Sequence, residues 1–70
     1  FEVLRLLRLR LAEQQAIPPY IVLTDKTLHL LATQRPTTIE EFGTISGIGE
    51  YKKEKYGKDF VDAINNFLNR

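Results

Sequence analysis

The chain has 70 residues and a formal net charge of +1, and it is long enough for one small domain. It has no cysteine, which excludes disulfides, thiolate metal sites and a cysteine nucleophile. No apolar run approaches the ~20 residues that cross a bilayer, and no signal peptide is visible. Because the sequence starts in mid-pattern and without Met, we expect residues 1–70 to be a single domain cut from a longer protein.

Charge is unevenly distributed along the chain. Residues 51–58 carry four lysines and one glutamate, residues 1–12 carry three arginines and one glutamate, and residues 36–50 carry three glutamates and no base. Two basic segments separated by an acidic one predict a polarised surface. Its affinity for nucleic acid should be weak and local, unlike that of a histone-like polycation.

The start of the chain has a helical pattern. Leu4, Leu7 and Leu11 recur at the spacing of one helix face among strong helix formers. This pattern predicts a first helix over residues 1–15 that ends before Pro18, because the residue preceding a proline is disfavoured in the helical region. The stretch "IPPYIV" that follows predicts a rigid turn or a single short helical turn.

A second helix is predicted for "TDKTLHLLATQR", residues 24–35. Thr24 or Asp25 can cap its start, and Pro36 stops it. The apolar residues that recur on one of its faces are Leu28, Leu31 and Ala32.

A short third helix is predicted within the stretch "TTIEEFGTI". Thr37 with Glu40 and Thr38 with Glu41 both have the spacing of a capping box, and the sequence leaves both pairs open. Gly43 is the predicted C-terminal stop of this helix.

Two glycines stand in "ISGIGEYKKEKYG", residues 45–57. Gly47 and Gly49 predict a tight hairpin that leads into a lysine-rich helix. The free N–H groups at the start of such a helix can hold a phosphate, which is the logic of helix-hairpin-helix contacts with DNA. The alternative is that the glycines only permit a sharp corner between two helices.

The last helix has the clearest apolar stripe of the chain, and Asp59 is placed near its positive end. The stripe consists of Phe60, Val61, Ile64, Phe67 and Leu68. Short helices joined by short connections predict an all-α fold, a compact bundle of about five helices.

Side chains for catalysis or metal binding are scarce. His29 is the only histidine, and no serine or cysteine nucleophile neighbours it. Glu40 and Glu41 alone are not a metal-binding cluster, and adjacent glutamates at a helix start favour the helix dipole. There is no phosphate-binding P-loop and no dinucleotide fingerprint. We therefore predict no catalytic residue, no metal site and no cofactor.

The tyrosine of "PPY" is a candidate binding residue. Two consecutive prolines reduce the freedom of the unfolded segment and fix the approach of Tyr20. An exposed ring beside basic residues can stack on a single-stranded base, which is worth about 1–3 kcal/mol. The alternative is that Tyr20 caps the core with its hydroxyl in water.

Four stretches of the chain together resemble the HRDC domain, the helicase-and-RNase-D C-terminal module. They are "LRLLRLRLA" at 4–12, "IPPYIVLTDKTL" at 17–28, "RPTTIEEF" at 35–42 and "ISGIGEYKKEKYGKDFVDAI" at 45–64. They stand in the family's order over nearly the whole chain, and they are most similar to the module that ends bacterial RecQ-type DNA helicases. The resemblance implies a compact helical bundle with a non-catalytic, accessory role for an ATP-dependent helicase in DNA repair and recombination.

The resemblance also implies a DNA-contacting patch. Tyr20 matches the family's tyrosine after the paired prolines, Arg8 its arginine in the first helix, and Lys52 its lysine after the glycine hairpin. Lys53 stands where the family often has an apolar residue, so we expect its stem to snorkel or the last helix to rotate. Charge and proximity in sequence add further candidates, which are Arg5, Lys26, Lys53 and Lys55, and the hairpin adds Gly47 and Gly49.

The expected partners are single-stranded or junction DNA, bound weakly, and the helicase core of the same parent chain. We expect a monomer in the bacterial cytoplasm, without membrane contact. Two alternatives stay open. In one, Leu6 and Leu9, which fall off the main face of the first helix, contact a partner protein or the parent, and Tyr20 belongs to the core. In the other, the chain is the C-terminal domain of an RNase-D-type exonuclease, and its ligand is RNA.

Overall fold

Five α-helices with short connections make up residues 2–69, the part of the chain that the computed structural model describes. They are α1 (Glu2–Gln15), α2 (Pro19–Val22), α3 (Asp25–Gln34), α4 (Ile39–Gly43) and α5 (Glu50–Leu68). The described residues contain no strand, so the predicted all-α bundle is confirmed. The stretch "IPPYIV" forms a single helical turn, the second of its two predicted alternatives.

The core lies between the two long helices α1 and α5, and α3 and α4 close it. The predicted face of α1 is buried, and it carries Leu4, Leu7 and Leu11. Helices α4 and α5 meet through Phe42 and Phe60, which are fully buried and whose stacked rings have centroids 5.9 Å apart. Full burial of one such side chain contributes roughly 1.5–3 kcal/mol.

Helix α1 ends in a Schellman motif that directs the chain towards α2. Ala16 has a φ of 56°, and its N–H donates to the carbonyl of Glu13 at 3.2 Å. The N–H of Ile17 donates to the carbonyl of Ala12 at 3.0 Å. These two bonds satisfy carbonyls that a helix end otherwise leaves free. Because Ile17 also packs against the core, the chain enters α2 in a fixed direction.

Threonines cap α3 and α4. The Oγ1 of Thr24 accepts a hydrogen bond from the N–H of Thr27 at 3.3 Å, so Thr24 is the cap of α3. Thr38 caps α4, because its Oγ1 accepts from the N–H of Glu41 at 3.1 Å. The Glu41 carboxylate in turn accepts from the backbone N–H of Thr37 at 2.9 Å. This backbone bond, reinforced by the Thr37 hydroxyl, lowers the pKa of Glu41.

Helix α5 differs from its prediction at two points. It begins at Glu50, so Asp59 lies in its middle and Glu50 occupies the positive end instead. Phe67 and Leu68 were predicted to be buried, but they are 46% and 42% exposed. Phe67 lies beside Val3, at the start of α1, so α1 has no further turn that could cover the end of α5.

Candidate nucleic-acid interface

Tyr20 stands in the single turn of α2, between fixed neighbours. Pro18 precedes this helix with extended backbone angles (φ −63°, ψ 145°), and Val22 and Leu23 after it are completely buried. The Tyr20 side chain itself is 63% exposed. The alternative in which Tyr20 belongs to the core is therefore wrong, and its ring is open to a ligand.

Arg8 connects α1 to the segment that follows Tyr20. Its Nη1 donates to the carbonyl of Leu23 at 3.0 Å and to the carboxylate of Asp25 at 2.8 Å. The bond from Arg8 lowers the pKa of Asp25. The Arg8 side chain is only 12% exposed, and its buried Nε has no hydrogen-bond partner. Arg8 thus lies against the link from α2 to α3, and its guanidinium already holds that link in place.

The glycine hairpin packs on the start of α3. The Thr27 hydroxyl donates to the carbonyl of Ser46 at 3.1 Å. Gly47 has a φ of 94°, and a β-carbon at this position would collide with the Thr27 hydroxyl, so both the backbone angle and the close approach require glycine. Lys26 is exposed next to Thr27. The hairpin and Lys26 therefore share one end of the molecule.

Gly49 has a different environment from Gly47. It is the N-cap of α5 with a φ of −90° and makes no side-chain cap, and no atom lies within 4 Å of a β-carbon placed on it. Neither the backbone nor the available space requires glycine there. The backbone at the start of α5 is consequently open to solvent.

The lysines of α5 occupy two sides of the helix. The stem of Lys53 lies across Gly43, where a β-carbon would be 2.7 Å from the Lys53 Cδ. Gly43 was predicted to stop α4, but it is the last residue inside this helix and Thr44 is the C-cap. Its Nζ reaches out to Glu50 at 3.8 Å, so the prediction that Lys53 snorkels is confirmed. Lys52 is half-buried and lies one turn before Tyr56 on the same side of α5.

Tyr56 joins the first half of α5 to the end of α1. Its ring is buried, and its hydroxyl accepts from Nε2 of Gln15 at 2.9 Å and donates to Oε1 of the same residue at 3.1 Å. This contact joins α5 to the end of α1, shortly before α2 begins at Pro19. Lys52 is thereby placed on the side of α5 that faces the end of α1.

Arg5 lies on the exposed side of α1. Its Nη1 is 3.3 Å from the carboxylate of Glu2, and both side chains are more than half exposed. An exposed pair of this kind is worth only about 0–1 kcal/mol.

Residues 2–69 show neither a metal-binding cluster nor a membrane-spanning helix. No group of three or more histidine, cysteine, aspartate and glutamate side chains there could hold a metal ion. His29 is exposed on α3. No helix in this part of the chain is both long and apolar enough to cross a bilayer.

Comparison with known proteins decides the family. The HRDC domain family matches residues 1–64. This chain belongs to the HRDC family. HRDC domains are non-catalytic domains of RecQ ATP-dependent DNA helicases, and the HRDC resemblance proposed from the sequence is confirmed.

Relatives of this HRDC domain include bacterial helicases. The ATP-dependent DNA helicase RecQ of Bacillus subtilis (strain 168) is 39% identical over 64 residues, 91% of this chain and 11% of the relative. The RecQ of Haemophilus influenzae is 42% identical over 64 residues, 91% of this chain and 10% of the relative. The chain thus spans only about a tenth of the length of these curated relatives. The solved structure "D. radiodurans RecQ HRDC domain 3" matches with a TM-score of 0.94 at 38% identity, over 99% of this chain and 91% of that chain.

One exposed aromatic residue of this HRDC domain was missed by the sequence analysis. Tyr51 lies in the first turn of α5 and is 68% exposed. Lys55, one turn later, donates from Nζ to the Tyr51 hydroxyl at 3.0 Å. The signal that could have revealed it is an aromatic residue four positions before a lysine in the basic run "YKKEK".

Apolar residues collect at the other end of the HRDC fold. Val3, Ala63 and Phe67 line a shallow groove between the start of α1 and the end of α5, and Leu6 lines its continuation. Leu6 and Leu9 are 61% and 43% exposed. Since Gln15 contacts Tyr56 at the opposite end of the same two helices, this groove lies away from the hairpin.

Proposed function

We propose that this HRDC domain is an accessory DNA-binding module of a RecQ-type ATP-dependent DNA helicase. It holds single-stranded or junction DNA weakly while the motor of the same parent chain acts. The observation that carries the proposal is the exposed ring of Tyr20 on a rigid turn. The relatives named above are DNA helicases, which supports a helicase parent over an RNase-D-type exonuclease. A monomeric module in the bacterial cytoplasm, serving DNA repair and recombination, belongs to the same proposal.

Tyr20 stacks on a base. Its ring is 63% exposed, whereas Val22 and Leu23, which follow in the same segment, are completely buried. A ring on so fixed a segment loses little conformational freedom on binding. Stacking of one base on an aromatic side chain contributes about 1–3 kcal/mol and tolerates any sequence, which suits a module that follows a moving strand.

The cations of the proposed interface neutralise phosphates. Lys52 and Lys26 carry the largest share in this proposal, because no carboxylate among residues 2–69 forms a salt bridge with either of them. Arg5 adds an exposed charge on α1. Lys53 and Lys55 contribute from α5, and the hairpin residues Gly47 and Gly49 let the strand approach the backbone.

Arg8 has a more constrained part in the proposal. A phosphate can reach its guanidinium only by displacing Asp25 from a 2.8 Å contact. We therefore assign Arg8 mainly to positioning, since it fixes the link on which α2 rests. Direct contact between Arg8 and DNA stays a prediction.

Weak binding is useful because of tethering. If about three phosphates are neutralised, the logarithm of the binding constant should fall with the logarithm of salt at a slope near −2 for a single strand. Such a site is weak in isolation. Linked to a motor on the same chain, it raises the local concentration of DNA at that motor.

Fluorescence anisotropy of a labelled oligo-dT strand tests the proposal. We expect the domain to bind at about 50 mM salt and about tenfold or more weakly at 200 mM. Tyr20→Ala should weaken binding at both salt concentrations, whereas Tyr20→Phe, the matched control, keeps the ring and the affinity. Lys52→Ala should instead flatten the salt slope by about 0.7. Absence of binding at low salt would overturn the proposal.

A second candidate function is contact with protein through the apolar groove. The observation that favours it is the exposure of Leu6 and Leu9, which lie away from the hairpin. The test is binding of the domain to the separately prepared remainder of the parent chain. A Leu6→Ser, Leu9→Ser double variant should lose such binding and keep oligo-dT binding, and Tyr20→Ala should show the reverse.

A further inference from the structure

Tyr51 is the most exposed of the large hydrophobic side chains in the described residues, at 68%. It lies in the first turn of α5, directly before Lys52 and Lys53. An exposed tyrosine on a helix surface gains little from packing, so the stability of the fold does not explain its presence. Three of the four residues that follow Tyr51 along α5 are lysines.

The position of Lys55 relative to Tyr51 leaves the faces of the ring open. The Lys55 Nζ is 3.0 Å from the Tyr51 hydroxyl but 5.3 Å from the ring centre. The ammonium therefore sits at the hydroxyl end of the ring and does not cover a face. Its bond to Tyr51 raises the pKa of Lys55, so the group stays a cation at neutral pH. A flat ligand can stack on the ring while an anion meets the ammonium beside it.

The same ammonium connects Tyr51 to the Tyr20 side of the molecule. The Lys55 Nζ also lies 5.8 Å from the centre of the Tyr56 ring, within the range of a cation–π contact. Tyr56 is bonded to Gln15, and the five residues from Gln15 to Tyr20 span at most about 17 Å. Tyr20 follows Gln15 by five residues and Tyr51 precedes Tyr56 by five, so both exposed rings belong to segments that lead away from the Gln15–Tyr56 contact.

We propose that Tyr51 is a second base-stacking residue, with Lys55 beside it as a phosphate contact, so that one single strand engages Tyr20 and Tyr51 together. This inference rests on the proposed function, because it extends the same interface along the strand. The ligand at Tyr51 and Lys55 is a nucleotide, whose flat base stacks on the ring and whose phosphodiester meets the ammonium. The family resemblance did not point to this site.

Variants of Tyr51 test this inference. Tyr51→Ala should weaken binding of a dT strand of about twelve nucleotides by roughly five- to a hundredfold, since one stacked base is worth about 1–3 kcal/mol. Tyr51→Leu should weaken it comparably, because it keeps the bulk but has no aromatic face. Tyr51→Phe should keep most of the affinity. Since Tyr51 is exposed, far-UV circular dichroism and thermal unfolding should be the same for all three variants.

Strand length separates this inference from the proposed function. A dT strand of about four nucleotides, at the short end of known site sizes, should reach only one ring, so Tyr51→Ala should affect it less than the longer strand. Photo-crosslinking with 5-iododeoxyuridine strands should label peptides that contain Tyr20 and Tyr51. If Tyr20→Ala weakens binding and Tyr51→Ala does not, the proposed function stands and this inference falls. If the native domain binds no strand, both fall.

Discussion

The two ends of the molecule are stabilised differently. At the end that carries Tyr20, hydrogen bonds between distant parts of the chain fix the segments that bear the exposed side chains. At the opposite end, exposed apolar side chains line an open groove. The supports are bonds between distant parts of the chain: Gln15 to Tyr56, Arg8 to Leu23, and Thr27 to Ser46. The groove between α1 and α5 is lined by apolar side chains such as Val3 and Leu6, with Arg10, Asp59 and Asn66 beside them. A supported surface loses little freedom when a ligand binds, and an apolar groove can adapt to a partner. The end that carries Tyr20 is therefore the better preorganised of the two.

The largest expected contrast concerns two adjacent leucines of α1. Leu7 is 7% exposed and Leu6 is 61% exposed. Leu7→Ala should lower the free energy of unfolding by about 2–5 kcal/mol because it opens a cavity in the core. Leu6→Ala should change it by less than about 0.5 kcal/mol. Urea unfolding at pH 7 measures both, and a large loss from Leu6→Ala would make the groove part of the core.

The two hairpin glycines give the next contrast. Gly47→Ala should destabilise the domain by about 1–3 kcal/mol, because it forces a side chain into a positive-φ conformation against Thr27. Gly49→Ala should cost about 1 kcal/mol or less, the usual difference between glycine and alanine at an N-cap. Thermal unfolding checks the stability. Equal losses would mean that the hairpin does not rest on α3 as described.

Removal of the Tyr56 hydroxyl tests the hydrogen bond between α5 and Gln15 of α1. Tyr56→Phe should lower the free energy of unfolding by about 0.5–1.5 kcal/mol, since it removes the bond to Gln15. Tyr51→Phe removes a hydroxyl of the same kind from an exposed position and is the matched control, with little expected change. Chemical denaturation distinguishes the two. Identical stability of both variants would show that the Gln15 contact does not support the interface.

The smallest expected effect is a dependence on pH. The bond from Arg8 holds the pKa of Asp25 below its ordinary value of 3.8. The ionised carboxylate therefore stabilises the folded state fully above pH 3.8, and this contribution is lost as the pH falls through the folded-state pKa. The difference in urea midpoint between the native domain and Asp25→Asn should shrink over that range. A midpoint difference that stays constant as the pH falls below 3.8 would show that the bond from Arg8 to Asp25 does not stabilise the fold.

Local patterns predicted the helices and the hairpin, because periodicity, proline and glycine act over a few residues. They failed where the answer depends on distant parts of the chain. The pairing of Arg8 with Asp25 joins residues 17 positions apart, and no local rule reveals it. The stripe of α5 was extended to Phe67 and Leu68 because periodicity defines a helix face but not where the facing helix ends.

The candidate site was partly predictable for the same reason. Val22 and Leu23 are buried whereas Tyr20 is exposed. All three are apolar or aromatic residues in one short segment, so the sequence could not indicate which of them face the core. The two possible capping pairs at α4 could not be distinguished because the fold uses Thr38 as the cap and Thr37 as a partner of Glu41. Tyr51 was not predicted as a binding residue because the sequence shows the charge of the run "YKKEK" but not which of its side chains are exposed.

The burial of Tyr56 between two exposed tyrosines also gives the domain its own optical labels. The chain has three tyrosines and no tryptophan, so all of its intrinsic emission comes from these rings. Tyr20 and Tyr51 face water, and Tyr56 is only 3% exposed. In a Tyr56→Phe background, excitation at a wavelength that phenylalanine does not absorb would give emission from the two surface tyrosines alone. Quenching by an unlabelled strand would then report contact at this face directly, without any dye attached to protein or DNA.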